Sequence, residues 1–174
     1  MTIGEVEQWH HFVYNGITYD LSHLNASKVV YTNPKTERQY EFIVTYSFHC
    51  FAKDDNALSA AERSALLYIA PRDSRPFHFE RYEDSKQLPE IIRKLHQAYI
   101  FDAGYDGCAT VQILNEAGIL VHYKIIFKAF REKKKFRLHI SSAHRLTVVG
   151  KTKRINFFTI AESLVKNKPL PRNP

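Results

Sequence analysis

The stretch FRLHISSAHRL, residues 136–146, gathers residue types that can bind a phosphodiester and can also cleave one. Cleavage of RNA without a metal needs a base for the 2′-hydroxyl, an acid for the leaving oxygen and cations for the charge that builds on the phosphate. His139 and His144 could supply the base and the acid, and Arg145 the cation. Ser141 could donate a hydrogen bond to phosphate. These four residues are our predicted catalytic group; the alternative is a basic binding face on which the histidines take no part.

A predicted hairpin places further cations beside this stretch. In ILVHYKIIFKAF, residues 119–130, side chains alternate between one apolar and one polar face. With a loop over residues 131–134, opposite residues of the two strands share a face. The predicted cross-strand pairs are Lys128–Arg137, Ile126–His139 and Lys124–Ser141. Like charges placed opposite each other repel unless an anion lies between them, so this face suits phosphate. The predicted nucleic-acid-binding residues are His122, Lys124, Lys128, Arg137, Lys153 and Arg154.

The positive charge is concentrated in the C-terminal part of the chain. Residues 124–174 hold 14 of the 25 lysines and arginines but only two of the 18 acidic residues, a net charge of +12, whereas residues 1–123 carry −5. Because these cations are interleaved with strand-forming residues, we expect them on a folded surface. Such a field attracts polyanions. The expected partner is RNA or DNA; a cognate inhibitor or an acidic protein partner is the alternative.

Composition and length exclude several other classes of protein. A chain of 174 residues with 44% hydrophobic side chains can bury a core and is not disordered. No apolar run approaches the ~18 residues of a membrane span, and MTIGEVEQWHHF lacks the apolar centre of a signal peptide. We therefore expect a cytoplasmic protein with no membrane partner. Cys50 and Cys108 match no metal or disulfide spacing, and His49 next to Cys50 is typical of a buried strand. We predict no metal and no cofactor.

Four signals organise the N-terminal half. An Asn15-Gly16 turn between HHFVY and ITYDL predicts a hairpin, and QYEFIVTYSFHCF (39–51) predicts a long strand. Ser59 and Glu62 form a capping box that predicts a helix, although ALLYIA is equally compatible with a strand. Within RPFHFERY (75–82), the part FHFERY can run as an extended segment. The side chains Arg75, His78 and Arg81 either form a second phosphate clamp or pair with nearby acids.

The C-terminal half completes the predicted fold class. Ser85 should cap a helix over residues 86–98, followed by the strands CATVQIL, ILVHYKIIFKAF, KFRLHIS and RINFFTI. The fold class is α+β: an antiparallel sheet of four or more strands packed on one main helix, with an N-terminal β-rich extension. We predict a single domain over residues 1–174, in which an N-terminal β-rich lobe (1–83) and a C-terminal basic α+β lobe (84–174) are the candidate subdivisions.

The chain resembles two groups of known proteins. The strings YDLSHL, YSFHCF, RPFHFERYEDSKQLP and ISSAHR resemble a family of small uncharacterised bacterial proteins often found near mobile elements, over most of the chain. That family offers no activity to carry over. The order of one helix and four antiparallel strands, with FRLHISSAHR on the third, is similar to the compact fold of RelE-type toxins and barnase-like phage nucleases. This second resemblance implies a ribonuclease that uses His, Arg, Lys, Ser or Tyr on an open sheet face without metal. The chain departs from it in its roughly 85 additional N-terminal residues, and fold analogy alone does not establish activity.

The leading hypothesis is an RNA-directed, metal-independent endoribonuclease of the toxin or phage-defence kind. The alternatives are a nucleic-acid-binding regulator without catalysis, an anti-defence protein, or a protein-interaction module whose acidic N-terminal part docks a basic partner.

Overall fold

A six-stranded β-sheet forms the centre of the protein, which a computed structural model describes for residues 6–102, 107–146 and 154–171. The strands are β1 (Phe12–Tyr14), β2 (Ile17–Tyr19), β3 (Ser27–Thr32), β4 (Gln39–Tyr46), β5 (Leu67–Ile69), β6 (Ser74–Pro76), β7 (Tyr99–Asp102), β8 (Gly107–Leu114), β9 (Leu120–Glu132) and β10 (Lys135–Leu146). The α-helices are α1 (Ala60–Ala65), α2 (Phe79–Ser85), α3 (Leu88–Arg93) and α4 (Phe157–Val165). Short 3₁₀ helices cover Ser22–Leu24, Phe48–Cys50 and Leu95–Gln97.

The central sheet has the strand order β3-β4-β10-β9-β8-β7, and β1–β2 and β5–β6 form separate two-stranded sheets. The predicted α+β class is confirmed. Neighbouring strands of the central sheet are antiparallel except β4 and β10, which run parallel. Alternation in a sequence indicates which side chains share a face but not which strand lies beside which, so this parallel pair had no signal in the sequence.

One face of the sheet is buried against α3 and α4. The buried strand residues on this face include Tyr31, Tyr40, Phe42, Val44, Tyr123, Ile125, Phe127, Leu138 and Ile140. The helices and the turn after α3 contribute Ile92, Leu95, Phe157, Ile160 and Leu164 to the same core. Tyr31 at the sheet edge also donates a hydrogen bond from its hydroxyl to the carbonyl oxygen of Ile92, at 2.5 Å. The opposite face carries the more exposed side chains of β9, among them His122 and Lys128.

The N-terminal turn and helix signals are confirmed. Asn15 and Gly16 have φ of 49° and 75°, as a two-residue hairpin turn between β1 and β2 requires. Ser59 accepts the backbone N–H of Glu62, and the Glu62 side chain accepts the backbone N–H of Ser59, so the capping box starts α1. ALLYIA is split between the two alternatives, since α1 ends at Ala65 and β5 begins at Leu67.

The segment RPFHFERY is not extended throughout, because α2 begins at Phe79. The His78 side chain accepts the backbone N–H of Arg81 and caps this helix, a role that sequence rules assign to Ser, Thr, Asp or Asn. Ser85, predicted to start the next helix, is the last residue of α2, and α3 begins at Leu88. The predicted helix over 86–98 is therefore a six-residue helix followed by a 3₁₀ turn.

The predicted last strand, RINFFTI, is helical. The Asn156 side chain accepts the backbone N–H of Phe158 and caps α4, while Ile155 makes a single β-bridge with Ile100. The buried residues Phe157, Ile160, Ala161 and Leu164 recur at helical spacing, which a short apolar run cannot separate from a strand pattern. An additional strand, β7, precedes β8, so FRLHISSAHR lies on the fourth strand after α3 and not on the third.

Candidate nucleic-acid interface

The hairpin of β9 and β10 positions the predicted site residues, but in a different register from the predicted one. Its turn is two residues long: Lys133 and Lys134 have φ of 46° and 67°, and Lys135 pairs with Glu132. The predicted pairs are therefore wrong by two residues, and His139 lies opposite Lys128. A shift by two leaves every side chain on its predicted face, because side chains alternate with a period of two.

A β-bulge then changes which residues of β10 reach that face. The register of β10 against β9 shifts between Ile140 and Ser142, so Ser142 lies opposite Ile126 and His144 opposite Lys124. At the same point β4 ends, and the backbone N–H of Ser47 donates to the carbonyl oxygen of Ile140 at 2.8 Å. Ser141 is the unpaired residue of the bulge. Its hydroxyl oxygen is buried and has no hydrogen-bond partner among the described residues.

The side of the sheet opposite α3 and α4 therefore carries a row of basic and imidazole side chains, which we call the basic face. Its members on β9 and β10 are His122, Lys124, Lys128, Arg137, His139, Ser142 and His144. The structure thus brings together six of the predicted site residues. Ser142 takes the position on this face that was predicted for Ser141, because Ser141 is itself the extra residue of the bulge.

His139 is buried within the basic face. It is 7% exposed, and its Nδ1 shares a hydrogen bond of 3.0 Å with the Thr45 hydroxyl on β4. Burial, together with the smaller effect of the charges of Lys128 and Arg137, lowers the pKa of His139 to about 4. The predicted neutral imidazole agrees with this direction, although burial and not the neighbouring cations is the largest cause.

His144 lies at the other end of the face. It is half-buried, and its Nδ1 is 3.4 Å from the Ser142 hydroxyl. Burial lowers the pKa of His144, as do the charges of Arg81, Lys124 and Lys53, so its imidazole is uncharged near neutral pH. An uncharged imidazole is not poised to act as the general acid that the sequence indicated.

The two histidines are also too far apart to share one phosphodiester. His139 lies opposite Lys128 and His144 opposite Lys124, a separation of four residues along β9. At ~3.3 Å per residue, this places their backbones roughly 13 Å apart. The predicted acid–base pair is therefore not assembled as a pair, and each histidine has to be considered alone.

Arg145 points away from the basic face. It lies opposite buried Tyr123, and its guanidinium donates to both carboxylate oxygens of Asp84, at 2.8 and 2.9 Å. It also contacts Glu80 at 2.9 Å and Glu116 at 2.6 Å. A contact with phosphate would have to displace these carboxylates, so the predicted phosphate role of Arg145 has no support in the geometry. The bulge is the cause, since an unbroken β10 would have put residue 145 on the other face.

Arg81 joins the site from a distant part of the chain. Its Nη1 donates to the carbonyl oxygens of His49 and Ala52, at 2.9 and 3.3 Å, which holds the guanidinium beside the turn after β4. The charge of Arg81 lowers the pKa of His144. Arg75 and Arg81 belong to the second phosphate clamp that the sequence suggests. The charge of Arg81 acts on His144, whereas Arg75 is paired with Asp54 and Asp73. No local pattern connects residue 81 with residue 144.

The remaining predicted binding residues lie elsewhere. Lys153 falls outside the described residues. Arg154 stacks over the Tyr99 ring, 5.7 Å from its centroid, on β7 at the sheet edge. Since β9 and β8 separate β7 from β10, Arg154 does not belong to the group around His139.

The described residues contain no group of three or more His, Cys, Asp or Glu side chains that could hold a metal ion. Cys50 is fully buried, and burial raises the pKa of its thiol to about 12, which makes it a packing residue and not a nucleophile. Within the same parts of the chain, no helix has the length and hydropathy needed to cross a membrane.

Fold and site together define a small α+β protein with a mixed six-stranded sheet, helices on one face and cations with histidines on the other. The chain belongs to the YjaZ family, whose model matches residues 11–165. Protein YjaZ of Escherichia coli strain K12 is 40% identical, over 97% of this chain and 97% of the relative. The resemblance to a family of small bacterial proteins is thus confirmed. No solved structure matches this one.

Proposed function

We propose that this protein binds RNA through the basic face, in the bacterial cytoplasm. The observation that carries the proposal is the clustering of Lys124, Lys128 and Arg137 on the side of β9 and β10 opposite α3 and α4. A fourth cation is Arg81, whose charge lowers the pKa of His144 and whose guanidinium donates to the carbonyl oxygens of His49 and Ala52. Cations gathered on one strand pair repel each other, and a phosphate backbone relieves that repulsion while releasing its own counterions.

Open sheets favour single-stranded nucleic acid over a duplex. A strand face is flat and narrow, and it can follow one phosphate backbone while side chains between the cations contact the bases. His139, His144 and Ser142 lie between the cations and can exchange hydrogen bonds with ribose and bases. This arrangement supports RNA as the ligand, with single-stranded DNA as the alternative for the same experiment.

Binding of a labelled single-stranded RNA should weaken steeply with salt. Since about four phosphate contacts give a slope near −3 in a plot of log K against log[salt], Kd should rise about 50-fold between 50 and 200 mM salt. Gel shift or fluorescence anisotropy in EDTA measures this directly. A Kd that is independent of salt, or no binding at 50 mM, would contradict the proposal.

A second candidate function is metal-independent cleavage of the bound RNA. His139 favours it: the imidazole is neutral, is oriented by Thr45 and lies directly opposite Lys128. A neutral imidazole next to a cation can take the proton of a 2′-hydroxyl while the cation stabilises the phosphate charge. If the protein cleaves RNA, its function is that of a toxin or phage-defence nuclease. If it only binds RNA, its function is that of a regulator or an anti-defence protein.

His139→Ala should lower cleavage in EDTA by about 100-fold, with RNA affinity nearly unchanged, because a general base contributes to the rate and not to binding. The wild-type rate should be independent of pH above about 5 and fall as the pH drops through about 4, where the folded-state pKa of His139 lies. Single-turnover rates measure both effects. His144→Ala is the matched control, because its imidazole is on the same face but distant from His139. Equal rates for wild type and His139→Ala would end this candidate.

A further inference from the structure

A cleft of about 280 Å³ opens beside His139, at the end of β4. Its aromatic walls are Trp9, Tyr46 and Phe48, and its polar walls include Arg72, Asp73 and His139. The cleft is continuous with the basic face, since His139 belongs to both. A ligand whose charged part lies along Lys128 and Arg137 can therefore reach it without crossing the core.

The chemistry of the walls fits a planar ring with hydrogen-bonding edges. Trp9 is 6% exposed, and its indole nitrogen is buried and donates to no acceptor in the described parts of the chain. Asp73 adds a carboxylate that already accepts from Arg75 and from the backbone N–H of Ser74, and each of its oxygens has a second lone pair that can accept from a ligand. His139 adds an imidazole whose Nδ1 is already shared with Thr45. Aromatic walls favour stacking, and mixed donors and acceptors match the edge of a nucleobase.

We propose that this cleft receives one unpaired nucleobase of a single-stranded RNA whose backbone lies on the basic face. The inference rests on the proposed RNA binding and specifies its ligand: a strand with an unstacked base, and not a duplex. In a duplex the bases are stacked and paired, so no base can enter the cleft without first being extruded. The Trp9 N–H then donates to a ring nitrogen or a carbonyl oxygen of the base.

Trp9 reports on the cleft directly, because it is the single tryptophan of the chain. Titration of the full-length protein with a short single-stranded RNA should change its fluorescence, and a duplex of the same sequence should not. The single strand should bind about tenfold more tightly than the duplex at equal salt, because stacking of one base is lost in the duplex. An RNA of the same length with abasic sites should bind as weakly as the duplex.

Ala70→Phe fills the cleft from a partly buried position in its wall and should abolish both the fluorescence change and the preference for single strands. Duplex binding and its salt dependence should stay unchanged. Ala61→Phe on the exposed surface of α1 is the matched control and should behave as wild type. If Ala70→Phe lowers the melting temperature, Trp9→Phe replaces it, since that variant keeps an aromatic ring and removes the N–H donor. It should reduce single-strand affinity alone, measured with labelled RNA because the tryptophan fluorescence is lost.

The outcomes separate the two proposals. Equal affinity for single strand, duplex and abasic RNA, or an Ala70→Phe variant that keeps the preference for single strands, would overturn the nucleobase cleft and leave RNA binding standing. Absence of binding to every RNA by the wild type would overturn both. A preference for single strands that Ala70→Phe removes, while Ala61→Phe keeps it, supports the cleft.

Discussion

Replacing Lys124, Lys128 and Arg137 by Glu should abolish RNA binding, with a loss of affinity of about 100-fold or more at low salt. Three phosphate contacts are lost and three repulsions are added, and removing three contacts should flatten the salt slope by about 2. The three side chains lie on the face opposite α3 and α4, so the core on the helical side should be unaffected. The Arg137 side chain is 17% exposed and also loses its contact with Glu132. Anisotropy titrations at several salt concentrations measure both the affinity and the slope.

The matched control is a second triple charge reversal on the side of the sheet that carries the helices. Lys35, Lys94 and Lys168 are exposed there, and changing them to Glu alters the net charge of the protein by the same amount. This control should lose only the small, long-range part of the attraction, which salt screens over about 8–10 Å. Circular dichroism should show both triple variants folded. Equal losses in the two variants would mean that total charge, and not the basic face, governs binding.

The residue types of the basic face could be predicted from the sequence, but its geometry could not. Alternation in β9 separates His122, Lys124 and Lys128 from the buried residues between them, and this holds in the structure. The turn was missed because Lys133 and Lys134 both adopt positive φ, a conformation that sequence rules expect of Asn, Asp or Gly. Because lysine is not expected at positive φ, the sequence predicts a four-residue loop here and not a two-residue turn.

The bulge between Ile140 and Ser142 had the larger consequence for the site. It keeps His144 on the same face as His139, although the two are five positions apart, and it turns Arg145 toward the core. A bulge depends on what the neighbouring strands do, and here β4 ends beside it with Ser47 bonded to Ile140. Nothing within residues 136–146 encodes the end of a strand some 90 positions earlier.

Contacts between distant segments explain why the surroundings of His144 and Arg145 could not be predicted from the sequence. The α2 helix brings Arg81 near His144 and Asp84 to Arg145. The sequence predicts an extended segment here because the residue that caps this helix is a histidine, which sequence rules do not count as a capping residue. The candidate site thus consists of a hairpin that was recognisable in the sequence and of a supporting helix that was not. The surroundings that bury His139 also come from distant parts of the chain, since Thr45 on β4 bonds its Nδ1 and Trp9 and Phe48 line the cleft beside it.

Arg145→Leu should destabilise the protein by about 3–5 kcal/mol, because it removes the partner of a buried carboxylate. The Asp84 side chain is only 2% exposed, and burial already raises its pKa despite the bidentate contact with Arg145. Glu80 and Glu116 are exposed and should contribute little. Urea denaturation at neutral pH measures the free energy of unfolding. The expected effect is on stability, and any loss of RNA binding should follow the fraction of unfolded protein.

The pH dependence and a double variant distinguish the buried ion pair from a direct role in RNA binding. Without Arg145 the folded-state pKa of Asp84 rises further above its unfolded value. The folded variant then tolerates the protonated carboxyl, and ionisation of this carboxyl is what destabilises the fold. The deficit relative to wild type should therefore shrink as the pH falls below the raised pKa and grow as the pH rises through it. Adding Asp84→Asn to Arg145→Leu removes the buried charge and should recover much of the loss at neutral pH. If Arg145→Leu unfolds with the wild-type free energy yet loses RNA affinity, Arg145 acts on the ligand, as FRLHISSAHRL alone indicated, and the ion pair with Asp84 contributes nothing.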